Sequence, residues 1–146
     1  MITRDYLVRL IEQVAAFVAS IVGAKREGNF DAGLRLVDEA YDDLLDMDRE
    51  LFEIADSATL SQLLGPPGKV RAIARLCFEQ AELLRLKSDP INSKLKYKRA
   101  VELTLEARRA EPDPADLELL KQAFMHIDVL VLAPRYRDDA WQQPPA

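Results

Sequence analysis

The chain has one cysteine, one histidine and one tryptophan, and each scarcity excludes something. A lone Cys77 closes no internal disulfide and suits a reducing compartment, so a cytoplasmic protein is expected. The lone His126, with Asp128 two positions on, makes His-x-Asp. On a helix those side chains diverge, whereas a helical metal site needs acceptors three or four apart. Gln122 and Ala123 stand where such acceptors would be, so neither a metal nor a cofactor is expected. A catalytic histidine needs a positioned partner, and none is legible, so His126 reads as satisfied or exposed. Cys77 falls on an apolar helix face with no histidine arguable beside it, the pattern of a buried thiol rather than a nucleophile.

Long apolar runs are also missing. The longest uncharged one, residues 13–24, is about twelve residues, short of the roughly 20 that cross a bilayer. Met1 leads directly to Arg4 and Asp5, so no secretory leader is expected. No segment alternates with period two over a convincing length. The strand-like stretch 128–133 is better taken as the end of a last helix, and the fold class is therefore all-α. Five glycines and eight prolines fall almost entirely between stretches of helical period, where they act as punctuation.

With 49% of its 146 residues hydrophobic, the chain can bury a core without staples. One helical domain is expected over 1–133, followed by a loosely ordered tail, 134–146, that Tyr136 or Trp141 could dock back. The net charge of −5 hides an asymmetry: −7 over 1–68, +6 over 69–109 and −4 over 110–146. An acidic front and a basic middle attract each other, within one molecule or between two.

Thr3 is placed to cap a first helix in which Leu7, Leu10, Ile11, Val14, Val18, Ile21 and Val22 keep helical spacing. Gly28-Asn29 ends it. A second helix follows over about 31–46, with Leu34, Val37, Ala40, Tyr41, Leu44 and Leu45 inward and an acidic outer face. Calcium loops alternate ligands around a glycine turn, so acids on a helix face read as solvated. Residues 47–64 are less regular; Leu51, Phe52 and Ile54 suggest helix, and Ser57 is expected to cap a short segment with Leu60, Leu63 and Leu64. Gly65-Pro66-Pro67-Gly68 makes the firmest break. A third long helix is expected over 69–87, and a fourth over 90–110 burying Leu95, Tyr97, Ala100, Val101, Leu103 and Leu105. After a cap at Asp113, a final helix is expected to run from 114 to Pro134 with Leu117, Leu120, Phe124, Ile127 and Leu130 inward.

One pattern occurs twice, sixty positions apart: Gly28, Phe30, Gly33, Val37 and Ala40 recur in form as Ser88, Pro90, Ser93, Tyr97 and Ala100. Each set is a turn, then small residues and one bulky residue at offsets that let a helix approach a preceding one closely. This paired pattern resembles the tetratricopeptide repeat over about residues 14–46 and 74–107, although tandem repeats recur at 34 residues, which makes 47–68 an insertion. The whole chain also resembles a group of short bacterial proteins that open with a similar D-Y-L-V-R-L-I-E-Q segment. The likeness implies a tetratricopeptide-like array of two antiparallel helical hairpins plus a C-terminal helix, with a short helical insertion between the hairpins, and it brings no activity with it.

In such hairpins the first helix lines the concave side. That places Ala15, Val18, Val22 and Lys25 there in the first copy, and Arg75, Phe78, Glu82 and Arg85 in the second. The second set is the expected partner-binding surface. The first set is too apolar to face water; the insertion, local and otherwise unpartnered, is expected to cover it, with pairing of a second copy of the chain through the first helix as the alternative. Val22 and Glu82 also stand where carboxylate-clamp repeats place asparagines. The function expected is therefore non-catalytic: an interaction or scaffold module for a protein partner, with no membrane involvement. Two alternatives stay open. One is an enzyme or enzyme subunit with an unrecognised site, and the other is a nucleic-acid binder using residues 94–109. Against the latter, Leu95 and Tyr97 are claimed by the core pattern, and an isoelectric point near 5.0 is not that of a nucleic-acid footprint.

Overall fold

The computed structural model describes residues 4–141, with side chains as far as residue 139. Among these the chain forms eight α-helices and no strand: α1 (Arg4–Arg26), α2 (Phe30–Leu44), α3 (Arg49–Ile54), α4 (Ser57–Leu64), α5 (Pro67–Leu86), α6 (Pro90–Ala110), α7 (Asp116–Ala123) and α8 (Pro134–Trp141), with a 3-10 turn at Val129–Val131 between the last two. The proposed cap Thr3 lies outside the described residues.

The two repeat turns share one backbone solution. Gly28 and Ser88 both take left-handed conformations, φ 75° and 64°. Beyond each, the next amide reaches back five residues, Asn29 N to Ala24 O and Asp89 N to Leu84 O, both 2.9 Å. These bonds satisfy carbonyls that a helix end leaves open. Asn29 and Asp89 then cap the following helix by accepting from Ala32 N and Asn92 N, and Pro90 takes a first-turn position where its missing N–H costs nothing.

Helix α5 is the centre of the packing. It lies most extensively against α6, and also against α1 and α2, while α1 and α2 pack on each other. Small residues hold these approaches. A Cβ on Gly33 would come within 2.9 Å of the Leu83 methyls, so α2 meets α5 closely enough that any larger residue there makes Leu83 shift. Ser93 is buried and its hydroxyl donates to Ala81 O at 2.9 Å, while Ala40 and Ala100 are fully buried. Ser93 thus contacts the preceding helix as the spacing requires, whereas Gly33 nests against the following long helix instead.

The insertion packs on α6 and, more lightly, on α5. It therefore does not cover the apolar set on α1, contrary to expectation. Ala15 is exposed and Val18 and Val22 are half-buried. The cap of α4 is Asp56, which accepts from Thr59 N at 2.7 Å. Ser57 instead sits one residue inside and is buried, donating to Glu102 Oε1 at 2.7 Å. Glu102 is itself buried, and its other oxygen accepts from Ala133 N at 2.8 Å. That carboxylate joins α4 to the segment leading into α8.

Four further expectations are corrected. Pro67 and Gly68 belong to the first turn of α5, since the left-handed Gly65 has already made the break. Leu95 is 55% exposed, because α6 turns Tyr97, Ala100 and Val101 inward and leaves Leu95 beside the end of α3. The last helix stops at Ala123: Met125 and His126 donate to carbonyls three residues back, and Asp128 caps the 3-10 turn through Leu130 N at 2.8 Å. Ile127 stays buried, but Leu130 is exposed. Finally, residues 134–141, read as loose tail, form α8, with Tyr136 buried and donating to Glu106 at 2.5 Å. Helix α1 also contains an 18-residue window long and apolar enough to match a membrane span by length and composition. Arg9 and Glu12 interrupt it, so no uncharged run of that length stands out in the sequence. Helix α1 packs on α2 and α5 through Leu10, Val14 and Ile21.

Candidate functional site

Two carboxylates one turn apart on α5 organise a polar face that also draws in α1, α6 and the segment after α7. Glu79 is only 1% exposed, and a buried acid requires partners. It accepts from Lys25 Nζ on α1 at 3.3 Å and from Arg75 Nε at 3.0 Å. Glu82 accepts a short bond from Tyr97 and one from Arg85 Nη2 at 3.2 Å. Lys25 Nζ is 3.7 Å away and His126 Nε2 is 3.9 Å away. Arg85 Nε also donates to the Tyr97 hydroxyl at 3.1 Å, which closes a Glu82–Tyr97–Arg85 triangle.

Aromatic contacts tie this triangle to the rest of the face. The His126 ring stacks on Tyr97 with centroids 5.1 Å apart and planes 19° from parallel. Phe78 meets Tyr97 edge-on at 5.9 Å, and the Arg75 guanidinium lies 5.7 Å from the Phe78 centroid.

Burial penalises the ionised form of Glu82, but bonds from Tyr97 and Arg85 and the charges of Arg85 and Lys25 outweigh it and hold the carboxyl below its usual range. Burial first, and Glu82 second, push the Tyr97 hydroxyl well up. Glu82 is thus an anion, Arg85 a cation and Tyr97 a neutral donor, an arrangement that fixes charge rather than passing protons. Cys77 is buried elsewhere on α5 and accepts from the Tyr41 hydroxyl at 3.3 Å; burial raises its pKa and keeps the thiol protonated. No cluster of potential metal ligands occurs among the described residues.

All four sequence-predicted residues, Arg75, Phe78, Glu82 and Arg85, belong to this one cluster. Phe78 is 7% exposed and supports the face from beneath, whereas the other three reach its surface. Sequence reasoning missed Glu79, assigned Tyr97 to the core alone and left His126 unconnected. Glu79 was findable, since it lies four residues from Arg75 and its side chain must share that helix face.

The basic stretch 94–109 is largely neutralised within the chain. Lys96 pairs with Glu53 at 2.7 Å, Lys98 lies 3.9 Å from Glu102, Arg108 lies 3.5 Å from Asp116, and Arg109 pairs with Asp139 at 2.5 Å. The acidic front and basic middle meet intramolecularly through Lys69–Asp46, Lys87–Asp31 and Lys96–Glu53. No family model, no curated protein and no solved structure matches the chain.

Proposed function

We propose that the chain is a non-catalytic interaction module, a tetratricopeptide-like pair of hairpins whose inner helices α1 and α5 receive a protein partner. The single observation behind this reading is the α5 face, where Lys25, Arg75 and Arg85 stand partly exposed over acids fixed beneath them. Beside it, Val8, Ile11, Ala15, Val18 and Val22 recur at 3-4-3-4 spacing along α1, the seam that receives another helix. The partner suited to both is an amphipathic segment carrying acids beside an apolar stripe. Selection from a displayed library of amphipathic helical peptides tests it. Selected peptides should lose about tenfold in affinity or more with Arg75→Glu and Arg85→Glu, and keep it with Asp42→Lys on the outer face of α2. Peptides indifferent to the first two changes, or an empty selection, would overturn the reading.

A second copy of the chain is the other occupant for α1, favoured by the 48% and 42% exposure of Val8 and Ile11. Light scattering distinguishes the two: a mass of 16.5 kDa leaves the seam to a foreign partner, and a doubled mass that Val8→Asp halves assigns it to self-association.

A further inference from the structure

Helix α1 buries one side and leaves the other bare. Leu10, Val14 and Ile21 are its buried residues and share one side. Asp5, Val8, Glu12, Ala15, Ala19 and Arg26 fall on the opposite side by helical spacing. All six are exposed, and Val8 keeps 48% of its surface in water. This outer side is turned away from α5, which α1 meets through Leu7 and Ile11 beside Gly68 and through Lys25 at Glu79.

The charges on the two helices differ in the same way. Every charged side chain of α5 is in an ion pair. On α1 only Lys25 is, among the described residues, and it reaches α5. Asp5 and Arg26 therefore stand at the two ends of the outer side with opposite charges and no partner.

An unpaired acid at one end and an unpaired base at the other make this surface complementary to its own reverse. Two copies related by a two-fold axis meet in that way. In an antiparallel pair centred on Ala15 and Ala16, Asp5 of each copy comes opposite Arg26 of the other. The same centring lays the two helices over each other end to end, so the arrangement of greatest overlap also pairs the charges. Val8 then comes opposite Gly23, where a Cβ would meet nothing within 4 Å. Glu12 comes opposite Ala19, whose small side chain leaves the carboxylate room to stay in water. A parallel pair would instead set Asp5 beside Asp5 and Arg26 beside Arg26, and like charges brought together oppose association.

We propose that the chain forms a two-fold dimer through the outer side of α1, with the helices antiparallel and an Asp5–Arg26 ion pair at each end. The pairing presupposes the second occupant named for α1, another copy of the chain, and it leaves the α5 face open. A single pair of helices makes a small interface, so the expected dissociation constant is on the order of 10 μM.

The test is sedimentation equilibrium of the full chain from about 1 μM to about 500 μM. The mass should rise from 16.5 kDa toward twice that value. Arg26→Asp and Asp5→Arg should each weaken the dimer by about tenfold or more. The two together should restore its affinity to within about threefold of the unaltered chain, because the exchanged charges again face their opposites. Both substitutions oppose the helix dipole, so this recovery does not come from a steadier α1. Glu12→Ala should tighten the dimer, since it removes the one acid that the pairing brings against apolar side chains. A monomer at every concentration would overturn the proposal together with self-association of α1, while the reading of the α5 face is judged by the peptide selection alone. A dimer in which the double variant is as weak as either single one, or which Glu12→Ala weakens, would overturn the antiparallel pairing and keep self-association.

Discussion

Over its 23 residues α1 buries Leu10, Val14 and Ile21, whereas α5 buries ten side chains over 20. Yet the two helices end in the same left-handed turn, with the same five-residue reach-back bond and the same kind of cap on the next helix. Turn chemistry is local and repeats wherever the residues repeat. Burial is set by place: α5 packs against α1, α2, α4, α6 and α7, whereas α1 packs chiefly on α2 and α5. In stacked hairpins an end helix stabilises itself through polar outer residues or through a partner, and the outer face of α1 keeps Val8 and Ile11.

The largest expected contrast between the hairpins is in core truncation. Leu83→Ala, at a fully buried position on α5, should cost about 3–4 kcal/mol in a denaturant titration, while Val8→Ala on α1 should cost under about 0.5 kcal/mol. Equal losses would mean that the exposed face of α1 is covered in solution. Next comes the α2–α5 approach. Gly33→Val drives a branched side chain into Leu83 and should cost about 2 kcal/mol, whereas Ser93→Ala removes one hydrogen bond and should cost about 1 kcal/mol.

The turns should respond in opposite directions. Gly28→Ser should destabilise by about 1 kcal/mol and Ser88→Gly should stabilise by about 0.5–1 kcal/mol, because the same φ is easy for one residue and strained for the other. If neither midpoint moves, the shared backbone geometry is not the feature that matters.

The smallest effect is the pH dependence of the α5 face. The Glu82 carboxyl is lowered from 4.5 in the folded chain, so its contribution is complete above that value and is lost as pH falls below it. Thermal melts should show a shallower acid decline in Glu82→Gln. Tyr41, Tyr97 and Tyr136 are raised from 10.0. The folded state keeps protons that the unfolded chain releases, and stability should fall as pH rises past 10. Tyr136→Phe should soften that alkaline decline.

What was legible in the sequence was what depends on near neighbours along the chain. Gly28-Asn29 and Ser88-Asp89-Pro90 announced their turns, and the limits of α6 followed from Pro90 and from Pro112 beyond its end. The burial of Gly33, Ser93, Ala40 and Ala100 followed from spacing alone. The run from Leu117 to Leu130 misled, because Ile127 and Leu130 keep helical spacing while Asp128 supplies a cap that starts a different turn. Half of the polar face could be read, since the resemblance to tetratricopeptide hairpins set Arg75, Phe78, Glu82 and Arg85 together on one side of the third long helix. Lys25 and His126 could not be assigned to it, because their approach depends on how α1 and the segment after α7 are laid against α5.

Glu102 accepts from Ser57 on one side and from the Ala133 amide on the other. A single side chain is thus the clasp for two stretches that are remote in sequence. Hydrogen exchange in α4 and α8 should consequently rise and fall together, as one cooperative opening, while α1 exchanges on its own schedule.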